Sequence, residues 1–71
     1  MPIVKFELKT EHIALNDLLK ASGVAQSGGE GKALVAQGIV KVDGKQETRK
    51  TAKIRAGQKV YIDTTVIHVS A

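Results

Sequence analysis

The 71-residue sequence has no cysteine and no tryptophan, and only one proline, one phenylalanine and one tyrosine. The missing thiols exclude disulfide staples, thiolate nucleophiles and cysteine-rich zinc sites, and they fit a reducing compartment. With so few rings the core must be aliphatic, and the 42% hydrophobic content is indeed carried mostly by Ala, Val, Ile and Leu. No apolar run approaches the ~20 residues that span a bilayer, and Met1 to Thr10 lacks the apolar stretch of a secretory signal. A cytoplasmic protein without membrane contact is expected. A charged fraction of 25% beside this apolar content argues against disorder. A chain this short buries only roughly 60% of the surface its unfolded form exposes. Residues 1–71 are therefore expected to form one monomeric domain whose function lies on a surface.

The net charge of +4 is unevenly spread. Residues 1–40 hold four lysines against four acids and sum to zero. Residues 41–59 hold seven basic residues, Lys41, Lys45, Arg49, Lys50, Lys53, Arg55 and Lys59, against Asp43 and Glu47, a net of +5. Such concentration is the footprint of a polyanion-binding face, because neutralising phosphates releases condensed counterions. A merely solvated lysine-rich surface is the competing reading.

Hydrophobic spacing sets the order of elements. Val4, Phe6 and Leu8 alternate with Lys5, Glu7 and Lys9 as in a half-buried strand, and Pro2 suits its edge. Leu15, Leu18, Leu19 and Ser22 recur at three- and four-residue spacing, which predicts a helix over residues 11–22 ended by Gly23. Ser27 followed three residues later by Glu30 reads as a capping box opening a second helix over residues 28–37, with Gly38 as its stop. Gly31 inside that helix points to close approach of another backbone or to a tolerated weakness. The period then becomes two. Val40 and Val42 lead into Asp43-Gly44, a strong two-residue hairpin signal, and a returning strand is expected over residues 45–49. Residues 53–55 read as a short extended piece, and strands follow over residues 58–62 and 66–69. The fold class is α+β: two short helices packed on a small antiparallel sheet.

No catalytic constellation accompanies this pattern. His12, placed in a first helical turn, and His68, on the last strand, lie 56 positions apart and outside any metal-ligand spacing. The acids all have local structural roles, and Ser27 is a cap rather than a nucleophile. Neither enzyme activity, a cofactor nor a metal is expected. The run from Ser27 to Lys32 lacks the spacing of a nucleotide-triphosphate loop. A helix N-terminus nevertheless offers free N–H groups to a phosphate, so Ser27 and Gly28 are candidate phosphate-adjacent residues, with plain capping as the other reading.

The residues from Leu15 to Ile62, about two thirds of the chain, resemble the alpha-L RNA-binding domain named after the ribosomal small-subunit protein S-four. The matching pieces are Leu15-Asn16-Asp17-Leu18-Leu19, Ser22-Gly23-Val24-Ala25-Gln26-Ser27, Lys32-Ala33, Gly38-Ile39-Val40-Lys41-Val42-Asp43-Gly44 and Ala56-Gly57-Gln58-Lys59-Val60. The short length and Glu47-Thr48-Arg49-Lys50 followed by Lys53 are most similar to the small stand-alone bacterial YbcJ-like subfamily. The resemblance implies contacts to structured RNA, ribosomal RNA among the candidates, from Lys32, Lys41, Lys45, Arg49, Lys50 and Lys53. It departs from the family at Gly28, where many members carry an arginine. A period of two suggests that Lys41, Lys45 and Arg49 line one region of the hairpin. Phe6 and Tyr61 both have ready core or sheet roles, which favours recognition of shape and phosphates over stacking on splayed bases. The alternative is a protein-interaction module that pairs an exposed edge strand with a partner.

Overall fold

The computed structural model describes residues 3–71, and the expectation for Pro2 lies outside them. The elements in chain order are β1 (Ile3–Glu7), β2 (Ile13–Ala14), α1 (Leu15–Ala21), α2 (Gly28–Ala36), β3 (Val40–Val42), β4 (Lys45–Gln46), β5 (Lys53–Ile54), β6 (Lys59–Ile62) and β7 (Thr65–Ser70). Five strands form one sheet in the order β1-β7-β6-β3-β4, and β2 pairs with β5 in a separate two-stranded ladder. Two helices on a mostly antiparallel sheet confirm the expected class. The exception is the outer pair: β1 runs parallel to β7, with Val4 beside Ile67 and Phe6 beside Val69.

The core lies between the helices and one face of the large sheet. Leu15, Leu18, Leu19 and Val35 from the helices meet Val40, Val60, Ile62, Ile67 and Val69 from the strands, and all are buried. Ile54 on β5 joins them, while Phe6, Leu34 and Val42 pack at the margin. Burying a large aliphatic side chain contributes about 1.5–3 kcal/mol, so this cluster carries the fold in the absence of disulfides.

Helix α2 starts where its local signals put it. The Ser27 hydroxyl accepts the Glu30 N–H at 3.1 Å, and Ser27 itself is extended, as a cap requires. Helix α1 is shorter than its apolar spacing suggests. Residues 13–14 are strand, His12 precedes them in irregular backbone, and Ala14 at the cap position has no side-chain acceptor. The acceptors come instead from far along the chain: Leu15 N–H donates to the Ala52 carbonyl at 2.9 Å and Asn16 N–H to the Lys50 carbonyl at 3.0 Å. The returning strand of the hairpin is likewise cut to residues 45–46. Asp43 and Gly44 both have positive φ, 52° and 88°, as the two-residue turn demands.

Candidate nucleic-acid interface

The loop from Arg49 to Lys53 is bonded at both of its ends. The Lys50 and Ala52 carbonyls cap α1, and Lys53 enters the ladder opposite Ala14. The other side of α1 meets α2 at close range: a Cβ built on Gly31 would stand 2.8 Å from the Asn16 carbonyl oxygen. Gly31 is thus a point of backbone approach, and the next residue is Lys32. Loop, α1 and α2 are locked together, and this junction carries Lys32, Arg49, Lys50 and Lys53, all exposed. Arg49, Thr51, Ala52 and Lys53 line a shallow depression. Thr51 was not legible as a site residue. Its hydroxyl is an additional hydrogen-bond donor between two basic side chains.

The two hairpin lysines separate. The turn pairs Val42 with Lys45 and Lys41 with Gln46. Partners in a ladder share a face, so Lys45 lies with Val42 on the helix side, whereas Lys41 lies with its β6 partner Tyr61 on the opposite face. Lys41, Lys45 and Arg49 therefore do not line one region. A two-residue turn makes residues four apart across it point opposite ways, and Arg49 stands beyond the strand in the loop.

Arg49 also has an internal partner. Its Nε donates to Glu47 Oε1 at 3.0 Å, Nη2 donates to Oε2 at 3.4 Å, and its backbone N–H donates to Oε1 at 3.0 Å. The Arg49 hydrogen bonds hold the Glu47 carboxyl below its ordinary range, and Glu47 in turn raises the guanidinium. Ser27 and Gly28 sit at the α2 N-terminus as expected, with the Ser27 oxygen already engaged in the cap. Among the described residues, no group of three or more His, Asp or Glu side chains is placed to hold a metal ion. None of the described helices is long and apolar enough to cross a membrane.

Comparison with known proteins agrees with this fold. The chain is 54% identical over 52 residues to the candidate RNA-binding protein YbcJ of Escherichia coli (strain K12), a match covering 73% of this chain and 74% of the relative. An uncharacterised YbcJ protein of Shigella flexneri matches to the same extent. The solution structure of E. coli YbcJ, described as revealing an alpha-L motif involved in RNA binding, superposes with a TM-score of 0.77. That superposition covers 100% of this chain and 91% of the other at 44% identity, lower than 54% because it spans the whole chain rather than the best-matching 52 residues. The S4 domain family, a binding-domain family rather than an enzyme family, matches over residues 6–70, so the chain belongs to the S4 domain family.

Proposed function

We propose that this protein binds structured RNA through phosphate contacts made by Lys32, Lys45, Arg49, Lys50 and Lys53, and that it does so as a cytoplasmic monomer without catalysis. The observation that carries the reading is the bonding of the Lys50 and Ala52 carbonyls to the start of α1. It fixes a basic loop against α1, which in turn packs on α2 at Gly31, so that several cations are presented together instead of on a free strand. Preorganised cations lose less conformational entropy when they meet a phosphate array. The names given to the relatives, which include RNA binding, support the same class of ligand. Gly28 and Gly29 at the α2 N-terminus offer backbone N–H groups to a further phosphate beside Lys32.

A folded ribosomal RNA fragment is the first ligand to try. Replacing Arg49 and Lys50 together by Ala should weaken its binding at low salt, whereas replacing Lys5 and Lys9 should do little, because they belong to β1 and the residues just after it, at the sheet edge opposite β4. Equal losses in the two double mutants would mean that net charge alone acts and that the site is misplaced. The alternative, pairing of a partner strand, has its own observation: β1 stands at the sheet edge and is hydrogen-bonded on one side only. If the parent binds no structured RNA at low salt, that alternative takes first place.

A further inference from the structure

The face of the large sheet that points away from the helices has its own chemistry. Across it runs a row of cross-strand partners, Ile3, Val66, Tyr61, Lys41 and Gln46. Val66 is only 5% exposed yet stands outside the core cluster, so its neighbours on this outer face cover it. Ile3 and Ile39, at 59% and 40% exposure, are the large hydrophobic residues left open to solvent among the described residues. Beside the row lies a hollow lined by Ile39, Lys41, Gly44, Tyr61 and Asp63. Its volume of about 460 Å³ falls in the range of roughly 300–1,000 Å³ usual for small-molecule sites. The chain's single tyrosine is therefore a half-buried ring in a concavity lined also by a cation, Lys41, and an anion, Asp63. The ion pairs of the described residues are Glu47–Arg49 and Glu11–Arg55, so among those residues neither Lys41 nor Asp63 has an ion-pair partner.

We propose that this hollow holds one unpaired guanine of the bound RNA, a step that rests on the RNA-binding reading above. Every base has a π-face that could stack on Tyr61, so the ring favours a base without choosing it. The flanking charges choose. A carboxylate only accepts, and guanine is the base whose pairing edge offers two adjacent donors, N1–H and N2–H, to Asp63. The same base presents O6 and N7 as acceptors, which suit the Lys41 ammonium. Adenine and cytosine place an acceptor where Asp63 needs a donor, and uracil has one donor between two acceptors. Lys41 lies at the hairpin base, next in the ladder to the Val42–Lys45 pair, so the hollow adjoins the phosphate-binding edge on the opposite face. A bulged nucleotide reaching over the β3–β4 edge would connect the two.

The single tyrosine gives one set of ring signals, its Hδ and Hε doublets, in the proton NMR spectrum of the full chain. Titration with GMP should move it upfield and saturate, while AMP, CMP and UMP at equal concentration should move it little. A hairpin RNA with one bulged G should bind more tightly than the same hairpin fully paired, and Tyr61→Leu should cost the bulged form about five- to tenfold through lost stacking while leaving the paired form unchanged. Asp63→Asn should reduce the preference for G over A. Asn tolerates the positive φ of 53° at this exposed turn, so that variant tests the site even if Tyr61→Leu unfolds. No ring shift with GMP, equal shifts with all four nucleotides, or a Tyr61→Leu loss shared by the paired hairpin would overturn the proposal while RNA binding stands. Absence of binding to either hairpin would remove both readings together.

Discussion

A methyl group added at Gly31 would sit 2.8 Å from the Asn16 carbonyl oxygen, closer than packed side chains come. Helix propensity alone says that Gly→Ala inside a helix gains up to ~1 kcal/mol. Here the contact partner is backbone and cannot rotate away, so α1 and α2 must move apart. Gly31→Ala should therefore lower stability by about 1–3 kcal/mol, the usual cost of overpacking, and a raised thermal midpoint would refute the close contact. The Glu47–Arg49 pair has a different consequence. Because the Glu47 carboxyl is held below its ordinary value of 4.5, its contribution to stability is present above the unfolded value and is lost as pH falls through the lower folded one. At neutral pH the pair is formed and competes with phosphate for Arg49. Glu47→Gln should thus raise affinity for structured RNA by about two- to fivefold, the size of an exposed ion pair, measured at pH 7 and low salt. An unchanged affinity would remove Arg49 from the interface.

Among the elements, α2 and the Asp43-Gly44 turn were readable because the groups that define them are local. Ser27→Ala should cost about 1 kcal/mol through the lost cap. Its effect on RNA affinity should be small, since the hydroxyl is already bonded to the Glu30 N–H; a tenfold loss in a folded variant would place RNA at that hydroxyl. Gly44→Val tests the hairpin. Nothing lies within 4 Å of a Cβ at Gly44, so the substitution meets no clash, but its φ of 88° puts a β-branched residue in the left-handed region. A loss of roughly 1–2 kcal/mol is expected from backbone strain alone. An unshifted urea midpoint would contradict the turn. The start of α1 was not readable, because its N–H groups are capped by carbonyls some 35 positions away and no residue at Ala14 signals it. The parallel pairing of β1 with β7 joins the two ends of the chain, a contact that no local period encodes. A period of two carried through the turn would put Lys41 and Lys45 on one face, but the turn pairs Lys45 with Val42 and so sets the two lysines on opposite faces.

At the scale of the whole molecule, a sheet covered by helices on one side divides the basic residues between two environments. Lys32, Lys45, Arg49, Lys50 and Lys53 belong to the helix side and the sheet edge, while Lys41 belongs to the outer face with Tyr61. Salt dependence distinguishes these groups, because only cations that neutralise phosphates release counterions. At about 0.7–0.9 per phosphate, five contacts predict a slope of log affinity against log salt of about −3.5 to −4.5. Removing Arg49 and Lys50 should reduce its magnitude by about 1.4–1.8. Lys41→Ala should weaken binding of an RNA with a bulged G yet leave the slope nearly as in the parent, since its role there is to a base and not to a phosphate. Replacing Lys5 and Lys9 should alter neither quantity. A slope change at Lys41 equal to that of a single loop residue would return Lys41 to the phosphate-binding set and require the RNA backbone to wrap the sheet edge onto both faces.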